Sequence, residues 1–340
     1  MAGRFVPRTT AVPRQEPGTG AGTGTGTGPT DGPPRTRTWT PPGPLDLRLV
    51  LSPLRRGPAD PAYRALPDGS FWRATRTPAG PGTLRVSASS GGSVSAAAWG
   101  PGAQWLLDGL PALLGAGDTP EDFRPRHRLL ALTQRSRPGL RLLRTGLVME
   151  SLIPSILEQK VTTDEAYRAW RLLLRTYGTP APGPADVTFG TYGLYVMPDA
   201  RTWSLIPSWE WHRAGVDAKR SATILRAVRV ARRMEEAAAM ELPEATARLQ
   251  LIPGIGPWTA AETLQRSNGA ADAVTVGDLH LPGIVGHALA DNRNADDEEM
   301  LALLAPYEGQ RHRATRLIML SGRTPARRAP RMTPRNIARL

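Results

Sequence analysis

The residues of this chain best spaced to do chemistry are a turn, Pro253-Gly254-Ile255-Gly256-Pro257, and an aspartate, Asp278, about twenty positions beyond it. Glu244 to Gln250 predicts a short helix before the turn. Pro257 then opens a second helix, at a position where its missing N–H costs little. Two glycines one residue apart permit positive φ and close approach of another backbone. The free N–H groups at the start of the second helix suit a phosphate oxygen. No side chain in the turn reads a base, so such a contact is independent of sequence. The same turn also serves as an ordinary connection between antiparallel helices, and a lone Gly-x-Gly does not separate the two readings.

Asp278 stands in Ala273-Val274-Thr275-Val276-Gly277-Asp278-Leu279-His280-Leu281, at the start of a further helix. Its default role there is to cap the helix. His280 and His287 lie nearly two turns apart, but without cysteine or an HExxH arrangement they read as surface or packing residues, and no metal site is expected.

The elements that must position these residues follow from the rest of the chain. It has 340 residues and a formal net charge of +13, which favours a polyanionic partner. Nearly all the basic residues are arginine, the only lysines being Lys160 and Lys219. There is no cysteine, which excludes disulfides, thiolate zinc sites and a cysteine-ligated iron–sulfur cluster. No signal-like or membrane-spanning apolar run is present, so a cytoplasmic protein is expected.

Residues 1–38 are rich in Gly, Thr, Pro and Arg and read as a disordered tail. Residues 39–125 read as a small antiparallel sheet plus a helix, with strands at Leu45–Leu51, Ser70–Thr75, Thr83–Ser87 and Ser93–Ser95 and a helix from Ala103 to Leu114. Residues 126–322 read as all-helical. Expected helices include Leu147–Gln159, one capped by Asp164 and ended by Gly178, and a long one from Asp217 to about Ala239. Residues 323–340 form a basic tail. The fold class is mainly α with a small N-terminal α+β domain.

With the hairpin, Asp278 and their spacing in view, the chain resembles the helix-hairpin-helix DNA glycosylase superfamily, and within it the bacterial inducible 3-methyladenine DNA glycosylases. The resemblance runs from about Arg137 to Leu320. It includes Arg137-Pro138-Gly139-Leu140-Arg141-Leu142, Ile156-Leu157-Glu158-Gln159-Lys160-Val161 and the helix holding Lys219-Arg220.

That resemblance implies the helix-hairpin-helix glycosylase fold and excision of a damaged base, most simply an alkylated purine such as 3-methyladenine, from double-stranded DNA by a monomer. Asp278 is then the catalytic carboxylate, stabilising an oxocarbenium-like transition state and helping to activate water. Pro253, Gly254, Ile255, Gly256 and Thr259 would hold the DNA backbone. The base must leave the stack; Lys160 matches the side chain that fills the gap, and Gln159 the one that meets the orphaned partner base. Lys160 reads equally as a surface lysine.

Bifunctional relatives carry a Schiff-base lysine just after the hairpin. Trp258 occupies that position here, so water is the expected nucleophile. Trp258 also matches one ring of the aromatic cage that such enzymes stack on a cationic base. Glu262 and Met319 stand where a tyrosine and a tryptophan are expected. Glu262 reads as an attractor of a cationic base, as a proton donor to a neutral one, or as a solvated helix residue. No cofactor is implied, although a hairpin of this kind can hold a monovalent cation. A catalytically altered DNA-binding protein is the alternative.

Overall fold

A computed structural model describes residues 32–184 and 193–325. The disordered tail expected over residues 1–31 and the basic tail over 326–340 lie outside the described residues. The chain opens with β1 (Arg35–Trp39) and α1 (Leu47–Leu51), then β2 (Tyr63–Ala65), β3 (Phe71–Thr77), β4 (Gly80–Ala88) and β5 (Val94–Trp99). The sheet is antiparallel in the order β1-β5-β4-β3-β2. Alternation in β5 turns Val94, Ala96 and Ala98 to one face. There they meet Leu106 and Leu107 of α2 (Ala103–Asp108), Leu110 and Leu113 of α3 (Leu110–Leu113), and Val50 and Leu51.

Two expectations are corrected here. Arg35–Thr38 belong to an edge strand paired with β5 rather than to a tail. Leu47–Leu51 is a helix, not a strand. The Asp46 carboxylate accepts from the N–H groups of Arg48 and Leu49, and that cap decides a segment whose leucine alternation fits a strand.

The helical part holds α4 (Arg128–Ser136), α5 (Val148–Leu157) and α6 (Thr163–Tyr177). The two-stranded ribbon of β6 (Thr179–Pro180) and β7 (Tyr195–Val196) follows, so this part is not all-helical. Next come α7 (Ala200–Leu205), α8 (Ser208–Arg213), α9 (Ala218–Arg229) and α10 (Ala231–Glu235). The chain ends in α11 (Leu242–Gln250), α12 (Pro257–Ser267), α13 (Leu281–Ala290), α14 (Asp297–Leu304) and α15 (Arg311–Leu320). The cap of α6 is Thr162, in a reciprocal capping box with Glu165, rather than Asp164. The single helix expected over 217–239 breaks at Val230, which leaves helical geometry at φ −118° and ψ 26°.

Helix α5 is the axis of this half. All its residues but Glu150 are buried, among them Leu152, Ile153 and Ile156, against Ala260 and Leu264 of α12 and Ile224 of α9. Each such leucine or isoleucine contributes about 1.5–3 kcal/mol by leaving water. A second helical core joins α4, α13, α14 and α15 through Leu130, Val285, Met300, Leu304 and Leu317, and it takes Phe123, stacked on Tyr307 at 5.3 Å. Phe123 thus packs with the helices although it precedes the expected boundary at 125.

Sheet and helices meet along a polar seam. Arg73 reaches Glu150 of α5 with two N–H bonds of 3.0 and 2.7 Å, and Arg56 pairs with Glu158 at 2.7 Å. The small cavity on this seam is lined by Arg56, Asp60, Arg73 and Glu150, and none of its lining residues comes from the Asp278 loop.

Candidate active site

The hairpin forms as its composition requires, but its two glycines do different things. Gly254 has φ +100°, and a Cβ there would collide with the Thr223 hydroxyl of α9. It is needed for both conformation and packing. Gly256 has φ −96° and ψ −178°, extended backbone open to any residue, and no atom lies within 4 Å of where its Cβ would stand. Its bareness faces outward, beside the first turn of α12. Ile255 is buried and anchors the turn, so it offers only backbone.

Thr259 is only 2% exposed and turns its hydroxyl inward, where it accepts from Gln159 Nε2 at 2.8 Å. Only its backbone N–H belongs to the outward-facing helix start. The same Gln159 amide donates to Gly254 O at 2.9 Å. The side chain expected to meet an orphaned base therefore fastens the end of α5 to the hairpin. Arg226 of α9 donates to Pro253 O at 3.1 Å. A cation bound to the carbonyls of Pro253 and Gly254 would compete with these donors.

Lys160 follows on an exposed loop and has φ +52°, one of two non-glycine residues in the left-handed region among the described residues. A left-handed lysine costs about 1–2 kcal/mol. Such strain is tolerated where the surroundings fix it, and it collects at functional positions.

Asp278 lies on the loop from α12 to α13. Gly277, at φ +85°, precedes it and donates its N–H to Asp297 of α14 at 2.9 Å. Oδ1 of Asp278 accepts from the N–H groups of His280 and Leu281, both at 2.8 Å. The capping role is therefore present, set two residues ahead of the cap position itself, which is His280. Oδ2 accepts from Trp258 Nε1 at 2.9 Å. A carboxylate offers about four lone-pair sites. Three are taken, and among the described residues no donor takes the one left on Oδ2. Leu279 beside it is 80% exposed.

The positions expected to line a base pocket are only partly brought together. Trp258 and Glu262 share one stripe of α12, one turn apart. Glu262 is partly buried, and its carboxylate accepts from Arg266 at 2.7 Å. Met319, in the last turn of α15, is 49% exposed. His287 lies in the last turn of α13, and among the described residues no cluster of three or more His, Asp or Glu suits a metal.

Two residues escaped the sequence reading. Arg266 follows Glu262 at i+4, a signal present in the sequence. Arg316 on α15 is one arginine among many, and nothing local marks it.

In sequence, no family model and no curated protein matches this chain. Solved structures do match in shape. A 3-methyladenine DNA glycosylase from Archaeoglobus fulgidus superposes with a TM-score of 0.67 at 15% identity, over 84% of this chain and 98% of that one. The chain has the fold of the helix-hairpin-helix DNA glycosylases. The same glycosylase fold recurs in MBOgg1, bound to a low-affinity DNA ligand, with a TM-score of 0.66 at 16% identity, over 85% of this chain and 95% of that one. It recurs again in the 8-oxoguanine glycosylase/lyase of Clostridium acetobutylicum, with a TM-score of 0.65 at 11% identity, over 86% and 100%. Among the described residues no helix is long and apolar enough to cross a membrane.

Proposed function

We propose that this chain is a DNA glycosylase that hydrolyses the N-glycosidic bond of a flipped, damaged base in double-stranded DNA and leaves an abasic site. The observation that carries this is the Asp278 carboxylate, held by Trp258 and two backbone N–H groups beside the hairpin. The start of α12 and Gly256 would take a backbone phosphate. The oxygen left on Asp278 would face the sugar. As the bond to the base breaks, positive charge grows on the anomeric carbon and ring oxygen, and a fixed carboxylate stabilises it. Water bound to Oδ2 adds to that carbon and gives up its proton, so the products are a free base and an abasic sugar.

The reaction is monofunctional. Trp258 occupies the place of a Schiff-base lysine, and both lysines are exposed on other elements. Borohydride added during turnover is therefore expected to trap no protein–DNA adduct; a trapped adduct would overturn this assignment.

Alkylated purines are the base class that the resemblance implies, and Trp258 is one ring suited to them. The test is mass spectrometry of the bases released from duplexes carrying alkylated, deaminated or oxidised bases, with Asp278→Asn as control. Asp278-dependent release of at least one damaged base is expected. Salt-sensitive duplex binding with no release across the panel would point to a non-catalytic DNA-binding protein.

A further inference from the structure

The acidic run Asp296-Asp297-Glu298-Glu299 opens α14, and its members do different work. Asp296 is the cap. Its carboxylate accepts from the Glu299 N–H at 3.0 Å, and the Glu299 carboxylate accepts in return from the Asp296 N–H at 3.2 Å. Asn292 also donates to Glu299, at 3.1 Å. Capping therefore makes no use of Asp297. Its Oδ2 instead reaches out of α14 and accepts from the Gly277 N–H at 2.9 Å, twenty residues earlier. Its Oδ1 is buried and takes no hydrogen bond among the described residues. The helix dipole favours an acid at this position, but it favours one turned to solvent equally well. A buried carboxylate oxygen without a donor costs desolvation, so α14 alone gives this side chain no reason to turn inward.

Helix α13 brings the two segments together. Asp291, at φ +55°, ends that helix, and the chain runs back along it. A Cβ at Gly283 would collide with the carbonyl oxygen of Arg293, and one at Gly286 with that of Asn292. The turn before α14 therefore lies hard against the helix whose start Asp278 caps. Gly277 supplies the other half. It adopts φ +85°, and nothing stands within 4 Å of where its Cβ would be. Conformation rather than crowding calls for glycine there. The N–H turned by that conformation is the one that Asp297 takes.

We propose that Asp297 is a positioning residue for base release: through the Gly277 N–H it sets the main chain that carries Asp278. This rests on the glycosylase reading above. The Asp278 carboxylate is fixed at its tip by Trp258 and by the N–H groups of His280 and Leu281. Those bonds hold its oxygens. They leave the peptide ahead of Asp278 free to turn about a glycine, which has no side chain to restrict it. The bond to Asp297 removes that freedom, and α14, packed on α13 through Met300 and Val285, holds Asp297 still. Stabilisation of a developing cation depends on where the carboxylate stands, and a misplacement of about 1 Å costs about a hundredfold in rate.

The test is single-turnover release, at saturating protein, from duplexes each carrying one 7-methylguanine, hypoxanthine or 8-oxoguanine. Duplex affinity and melting temperature are measured on the same preparations. The rate constant reports on folded protein, since partial unfolding lowers only the amplitude. Asp297→Ala should lower the rate about ten- to a hundredfold and leave duplex affinity unchanged. Asp297→Asn keeps an acceptor oxygen for Gly277 and should restore most of the rate. Glu299→Ala breaks the capping box of α14 but not the bond to Gly277, so it should lower the melting temperature without lowering the rate. A double variant gives the sharpest arm. Because Asp297 acts only through Asp278, Asp297→Ala should not further lower the residual rate of Asp278→Asn. A wild-type rate in Asp297→Ala, no rescue by Asp297→Asn, an equal loss in Glu299→Ala, or additive losses in the double variant overturns the proposal and leaves the glycosylase reading intact. Absence of release by wild type from all three duplexes overturns both.

Discussion

Trp258 Nε1 donates to Asp278 Oδ2 at 2.9 Å, so the first turn of α12 holds the proposed catalytic carboxylate in place. A hydrogen bond to a charged group is worth about 1.5–3 kcal/mol. Trp258→Phe keeps the ring and removes the donor. Base release should fall about ten- to a hundredfold, each tenfold being about 1.4 kcal/mol, with duplex affinity nearly unchanged. Single-turnover kinetics beside a duplex titration measure both. An equal loss of affinity would show that Trp258 acts through DNA binding instead.

The two hairpin glycines should separate folding from binding. Gly254→Ala places a methyl against Thr223 at φ +100° and should destabilise the fold by more than about 1–2 kcal/mol. Gly256→Ala meets nothing and should leave the melting temperature unchanged. It should nevertheless weaken binding to undamaged duplex, because its methyl stands beside the N–H groups proposed to take a backbone phosphate. Thermal unfolding and salt-dependent titration of the pair decide this. A Gly256→Ala variant that binds as wild type removes the hairpin from the interface.

Lys160 carries strain that only glycine relieves. Lys160→Gly should stabilise the free protein by about 1 kcal/mol, since glycine adopts φ +52° without penalty. If its side chain fills the gap left by a flipped base, the same variant should release base more slowly. A variant that is more stable and equally fast would make Lys160 an ordinary surface residue.

His312 gives the fold a dependence on acid. Burial holds it neutral, with a folded-state pKa well below the ordinary value of about 6.5. The unfolded chain takes up this proton first as pH falls. The stability His312 contributes is therefore complete above about 6.5, and it declines below that as the folded-state value is approached. Denaturant unfolding between pH 5 and 8 should show this decline in wild type and a shallower one in His312→Asn. Parallel curves would contradict it.

The hairpin was legible because its determinants are local: Pro257 opens a helix, and a glycine is forced at position 254. The cap chemistry of Asp278 was legible for the same reason. Its bond to Trp258 joins residues twenty positions apart, and no local pattern encodes it. Whether Gln159 turns outward or, as here, into the hairpin is not legible, because an amide has no periodicity to show it. Leu47–Leu51 was misread because its leucines satisfy a strand while the Asp46 cap, a single residue, selects the helix. The pairing of Glu262 with Arg266 lay in the sequence as an i,i+4 spacing. The bond of Arg316 to the Leu49 carbonyl joins residues far apart in the chain, and no local pattern encodes it.

The most direct measurement is single-turnover release of a damaged base by Asp278→Asn. The change is nearly isosteric, and the amide oxygen can keep the bonds from His280 and Leu281. Duplex binding and melting temperature should therefore stay close to wild type. Release should fall about a thousandfold, as expected when a charge aimed at the transition state is removed. Release at the wild-type rate by a folded, DNA-binding Asp278→Asn protein would contradict the account.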